Sequence, residues 1–215
     1  MSIQNIIDKA QSIEIDRKRV IGQTISRSQR IKTSERASAQ PWKFKVTPPG
    51  MLSWSDSRGF IEVIDFNDRA NEYTISLNNN SGMNYITSYL GGITQGQLNN
   101  LTIFSTGTST ITITGMPAVN SSTVIFARGD YIQPADSRYP YTVVTTATRG
   151  STTTTSVTLN RSLITSEGLN LIGQGLAVGN SCTWRVVVSG LPSYQLVPMQ
   201  RVQYTGNFDL IEKII

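Results

Sequence analysis

The chain contains no histidine, a single cysteine and few charges. Without an imidazole, serine–histidine and cysteine–histidine nucleophile pairs cannot be assembled, and neither can zinc sites built from cysteine and histidine. With Cys182 alone, no intramolecular disulfide can form. Charged residues make up 15% of the chain, below the usual quarter, and Ser, Thr, Asn, Gln and Gly fill the difference. No window of about 18 apolar residues is present, so no membrane-crossing helix is expected. The N-terminus lacks the charged leader and apolar core of a secretory signal, which makes a reducing cytosol the expected place of synthesis.

Carboxylates are the remaining route to catalysis. The chain has 14 Asp and Glu, but no short motif pairs them as an acid/base couple or a metal loop. Asp65 and Asp68, in "IDFNDRANE", come nearest, and that stretch lacks the glycine and closing glutamate of a calcium loop. The expectation is a protein that is not an enzyme, with no catalytic residue, no metal and no cofactor. A carboxylate-based hydrolase is the least favoured reading, because it needs two carboxylates facing each other across a cleft, about 5 to 9 Å apart.

What is present is unevenly distributed. Residues 1 to 50 hold ten basic and four acidic side chains, net +6, whereas residues 51 to 215 hold nine and ten, net −1. The basicity therefore belongs to the leader. Arg17, Lys18, Arg19, Arg27, Arg30, Lys32 and Arg36 are spread among Ser and Thr with no aromatic residue between them, so the stacking platforms of single-strand nucleic-acid binders are missing. This pattern predicts an extended arm that contacts a neighbouring subunit, adding a strand to its sheet while the cations meet carboxylates. By contrast, from Tyr73 through Ala127 there is not one Asp, Glu, Lys or Arg. Soluble monomers use charge to keep exposed strands from pairing edge to edge, so this silent region predicts cover from other subunits, the alternative being a low-charge, loop-rich domain that tolerates it.

Along the chain, Ile3, Ile6, Ile7, Ala10 and Ile13 recur at helical spacing behind Ser2 as N-cap, predicting a short N-terminal helix. From Trp42 onward β signals dominate. "WKFKVT", "FIEVIDF", "EYTISL", "TSTITITG", "STVIFA", "YTVVTTAT", "TTTTSVTLN", "CTWRVVVSG" and "RVQYTGNFDLIEKI" predict strands separated by Gly, Asn or Pro, with a hairpin through "TRGSTTT". The expected fold class is all-β, an antiparallel β-barrel or sandwich with a short N-terminal helix and extended basic arm. Residues 1–40 would form the helix and arm and 41–215 the body, with a small embedded β-subdomain at about 121–191 that is either a separate barrel or more of the main sheet. Ile3, Ile6, Ile7, Trp42 and Trp184 are expected as interface or core anchors.

Two motifs have ordinary explanations. Arg128-Gly129-Asp130 spells an adhesion tripeptide, but Gly-Asp at a strand boundary already has a turn role. Gly173, Gly175 and Gly179 lack the spacing of a phosphate-binding loop and predict a bend or bulge.

The short N-terminal helix, the basic arm, "PWKFKVTPP", the Thr- and Asn-rich body, "GDYIQP" followed by "YPYTVVTTATRG" and "VTLNRSL", and the closing "NFDLIE" together resemble virion structural proteins of tailed bacteriophages, especially β-rich tail tube, tube-initiator and baseplate subunits. The resemblance implies a β-barrel or sandwich protomer that acts by assembly, as a homo-oligomeric ring, commonly sixfold, among neighbouring tail proteins. It also implies a virion protein assembled in the host cytoplasm, with no membrane partner. The alternatives are a nucleic-acid-contacting connector or neck protein and a carbohydrate-binding receptor module; nucleic acid is not favoured, because the cations are scattered over a neutral to acidic body.

Overall fold

The computed structural model describes residues 3–18, 40–67, 69–78, 80, 82–165 and 168–214, and the backbone of 21–25 and 31–35. In chain order the elements begin with α1 (Gln4–Asp8), β1 (Ser12–Asp16), β2 (Ile21–Ile25), β3 (Ile31–Glu35), β4 (Lys43–Thr47), β5 (Met51–Ser53), α2 (Trp54–Asp65) and β6 (Glu72–Ile75). They continue with α3 (Gln95–Leu98), β7 (Thr102–Thr106), β8 (Thr110–Thr114), β9 (Val124–Phe126), β10 (Tyr131–Pro134), β11 (Tyr141–Thr142), β12 (Ala147–Thr148) and β13 (Thr154–Thr158). The last are β14 (Leu176–Val178), β15 (Trp184–Gly190), β16 (Ser193–Val197), β17 (Arg201–Thr205) and β18 (Phe208–Glu212).

The chain is mostly β, and its strands pair antiparallel. One five-stranded sheet runs β1-β4-β18-β15-β6. Three three-stranded sheets run β11-β10-β14, β13-β8-β7 and β16-β17-β5, and two pairs join β12 with β9 and β2 with β3. Among the described residues no sheet closes into a barrel, which corrects that half of the expectation.

The five-stranded sheet follows from period-two alternation. In β4, Phe44 and Val46 are buried while Lys43 and Lys45 face water; β15 repeats the pattern with Trp184, Val186 and Val188 inside. These side chains join α1, α2 and β17 in one apolar cluster that includes Ile3, Ile6 and Ile7. A second cluster gathers β7, β8, β9, β10, β11, β13 and β14 around Ile103, Ile113, Phe126, Tyr141 and Val157. The uncharged segment from Tyr73 to Ala127 supplies much of this second core, including Ile93, Leu98, Leu101, Ile111 and Ile125.

Four local expectations are corrected. The N-terminal helix stops at Asp8, and Ile13 lies in β1, paired with Val46 of β4; burying the helix face takes only Ile3, Ile6 and Ile7, and the edge of β4 captures Ser12 to Asp16 as a strand. "FIEVIDF" lies in helix α2 rather than a strand, because the Ser53 side chain accepts a hydrogen bond from Asp56 N and starts a helix with Ser57, Phe60 and Ile61 buried on one face. The leader does not run as a single unpaired arm: its strands β2 and β3 pair with each other, Ile21 opposite Glu35 and Ile25 opposite Ile31. Finally, the hairpin through "TRGSTTT" does not form. β12 pairs with β9 and β13 with β8, because Val157 and the inward face of β13 are buried against Ile111 and Ile113.

Candidate assembly surfaces

Most residues singled out as anchors face inward. Ile3, Ile6, Ile7, Trp42 and Trp184 are all buried in the first core. Trp42 and Trp184 pack with ring centroids 5.9 Å apart, and Tyr131 meets both rings edge-on at 5.8 and 5.7 Å. Such aromatic groupings add directional contact to their burial.

Of the predicted arm cations, the structure places few. Arg17, just after β1, sits over the Trp42 and Tyr131 rings at 5.7 and 5.9 Å from their centroids. Lys18 is exposed, and its backbone N–H donates to Asp16 Oδ1. Lys32 is opposite Thr24 in the β2–β3 register, with its side chain outside the described residues. Arg19, Arg27, Arg30 and Arg36 lie outside the described residues, as does Asp68. Asp65, at the end of α2, accepts a hydrogen bond from the Tyr194 hydroxyl at 3.1 Å.

A residue pair that sequence spacing does not reveal holds the two cores together. Arg161, from the second half of the chain, inserts its guanidinium beside Glu212 of β18, donating from Nη2 to Oε1 at 2.7 Å and from Nη1 to Oε2. The same guanidinium donates to the carbonyls of Gln40 and Pro140 and lies over the Trp42 and Tyr141 rings. Trp42 N donates to Glu212 Oε2 at 3.0 Å. Both charges are buried, so each depends on the other.

The surface carries three features suited to contact with another protein. The first is the outer face of the β7–β8–β13 sheet. With Ile103, Ile111, Ile113 and Val157 turned inward, Thr110, Thr112 and Thr114 of β8 are in register with Thr158, Ser156 and Thr154 of β13, and Thr102 and Ser105 of β7 flank them. This face offers hydroxyls and no charge; Thr112 Oγ1 and Ser156 Oγ are 3.3 Å apart, and Phe104 projects from the β7 bulge at 60% exposure. Alternating Thr in "TSTITIT" and "TTTTSVT" is the sequence signal that this face leaves.

The second is an apolar surface around α2 and the β16–β17 turn. Met51 of β5, Trp54 and Phe66 at the two ends of α2, and Leu196 and Met199 at the turn are each exposed. The turn holds Met199 and Gln200 at φ of 66° and 55°, and Gln200 O accepts from Trp54 N at 2.7 Å, so the methionine is presented on a fixed tip.

The third is a sheet with unequal edges. β1 pairs only with β4, leaving one side without a strand among the described residues. At the opposite edge, α1 packs against β6, and the Gln4 amide both accepts from Ser76 N at 2.8 Å and donates to Ser76 O at 2.9 Å.

The clefts offer less chemistry. One, of about 630 Å³, is lined by the Glu72–Arg185 ion pair, Asp136, Arg138 and Gln133, whose amide donates to Ser137 O and accepts from Thr183 N. Its lining has no aromatic ring on which a sugar could stack. Among the described residues no group of three metal-ligating side chains converges. Burial pushes the Cys182 thiol up to about 12, and burial with the nearby Asp130 charge pushes the Tyr89 phenol to about 12 against the backbone contact at Ile93. Asp130 is itself raised by burial, although Leu90 N and Ala127 N donate to its carboxylate; with both oxygens so engaged, the Arg-Gly-Asp tripeptide is a closed turn and not an open recognition loop. No family model matches the chain, and no curated protein matches it.

Proposed function

We propose that this chain is a non-enzymatic structural subunit of a bacteriophage tail, in the tube, its initiator ring or the baseplate. In this reading a sandwich-like β protomer joins copies of itself in a ring, sixfold in the simplest case, and the finished ring resides in the virion after assembly in the host cytoplasm. The observation that carries the reading is the uncharged hydroxyl face of β7, β8 and β13. A flat strand surface with no charge lacks the usual guard against association with other strands and side chains, and cover by a neighbour makes use of it. The basic leader supports the same reading, because the body beyond residue 50 is net acidic and offers a neighbour's carboxylates as partners.

The leader's charge also favours a second reading, a connector that touches packaged nucleic acid through phosphate contacts. The two separate in one experiment. Asp16 and Lys43 are cross-strand partners, so a short Gly/Ser linker can replace residues 18–39 without stretching the sheet. Light scattering and negative-stain microscopy would compare the wild type, this variant and Thr112→Lys. Rings in the wild type and folded monomers in both variants support the tail reading. A wild type that stays monomeric at high concentration, or variants that form wild-type rings, overturns it. Salt-sensitive DNA binding lost with the leader would move the chain to the connector class.

A further inference from the structure

Clefts in the described surface differ in charge. One sets Glu72 and Asp136 against Arg138 and Arg185, and another sets Glu14, Asp16 and Asp209 against Lys43 and Lys45. A third, of about 240 Å³, contains Arg17 and Arg128 and no carboxylate. Gly129, Thr142, Val143, Val144 and Asn160 form the rest of its lining.

Each candidate counter-charge nearby is already committed. Arg17 is held in place by the Trp42 and Tyr131 rings, with Nη1 3.5 Å from the Tyr131 hydroxyl, and no carboxylate among the described residues pairs with it. The buried Glu212 is matched by Arg161 on the same indole. Arg128 adjoins Asp130 in sequence, yet both Asp130 oxygens accept backbone N–H groups from Leu90 and Ala127. Gly129, at φ +98°, donates its N–H to Val143 O and fixes the turn that carries Arg128. Two guanidiniums, one already pre-ordered on aromatic rings, therefore line a concave site with no anion among the described residues to satisfy them. Guanidinium groups bind planar or tetrahedral oxyanions through paired N–H donors, and an ordered one loses less entropy on binding.

We propose that this cleft binds one oxyanion group, a phosphate or a carboxylate, between Arg17 and Arg128. Arg17 is one of the leader cations used in the assembly reading, but neither arginine lies on the hydroxyl face that carries that reading.

Thermal unfolding of the full chain tests it, with sodium phosphate, sodium acetate or sodium chloride at matched ionic strength. Binding to the folded state alone raises the unfolding temperature in a saturable way. Phosphate or acetate should stabilise the wild type beyond chloride, and the stronger of the two identifies the preferred oxyanion. Arg17→Gln and Arg128→Gln should each weaken the apparent affinity about tenfold, as expected for loss of charge-assisted hydrogen bonds. Arg201→Gln, on β17, removes the same charge outside the cleft and should leave the affinity unchanged. The proposal fails if neither oxyanion exceeds chloride, or if all three variants respond as the wild type does. Because Arg17 and Arg128 are both exposed, the two glutamine variants fold, and each checks the other.

Discussion

Arg161 and Glu212 meet as a buried ion pair that closes the C-terminal strand β18 onto the second core, with Trp42 N as a further donor to the same carboxylate. Removing one partner leaves the other charge buried without compensation. Arg161→Met or Glu212→Gln should each destabilise the fold by about 3–5 kcal/mol in urea denaturation. The double variant Arg161→Met/Glu212→Met should cost clearly less than the sum, since neither charge then remains buried. Additive losses would show that the two side chains act independently.

Helix α2 begins on the Ser53 side chain, which accepts from Asp56 N. Ser53→Ala should cost about 1 kcal/mol, and Ser53→Asp, which keeps an acceptor, should recover most of it. Equal stability of Ser53→Ala and wild type in the same titration would show that β5 and the Gln200 contact alone start the helix.

At Gly115, φ is +83° and an added Cβ would run into the carbonyl oxygen of Asn100. That backbone has no rotamer by which to yield. Gly115→Ala should therefore cost about 1–3 kcal/mol, more than Gly150→Ala, where φ is +64° but the surrounding space is open. The reverse order would assign the penalty to backbone angle alone.

Cys182 is buried, with its Sγ 3.5 Å from Ala177 O, and its thiol is held protonated up to about 12. The native protein should not react with a thiol-specific disulfide reagent at pH 8, and one equivalent should react after denaturation. Rapid labelling of the native state would mean that the strand around β14 opens readily.

The alkaline limb of stability has its origin in the same burial. Cys182 and Tyr89 carry folded-state values of about 12 against ordinary values of 9.0 and 10.0, so the unfolded chain releases these protons first. Their contribution is complete below about pH 9 and is lost as pH rises through 12, which lowers the denaturation midpoint across that window. Cys182→Ala should flatten the lower part of the decline. A midpoint independent of pH from 8 to 11 would contradict the burial of both groups.

Strand content was legible wherever period two was clean: "WKFKVT", "EYTISL" and "TSTITIT" each become strands with their apolar members inward. "FIEVIDF" misleads because β-branched residues recur in it, while the deciding signal lies upstream in the Ser53–Asp56 cap. Thr154 to Thr158 is a strand as its pattern predicts, but its partner is β8, some forty positions earlier; pairing is settled by burial of Val157 against Ile111, which local turn chemistry does not encode. The Arg161–Glu212 pair is invisible for the same reason. The hydroxyl face, in contrast, can be read directly from alternating threonines, although which side faces out depends on the core beneath it.

The Gln4 amide caps Ser76 just past β6 and α1 packs against that strand, whereas β1 carries no strand on its outer side among the described residues, so the two borders of the five-stranded sheet differ. An edge-to-edge fibril needs two receptive borders on every unit in order to propagate. With one border covered at its end and the other open among the described residues, strand addition at this sheet is favoured from the β1 side alone, which suits a single handover between molecules better than continued growth.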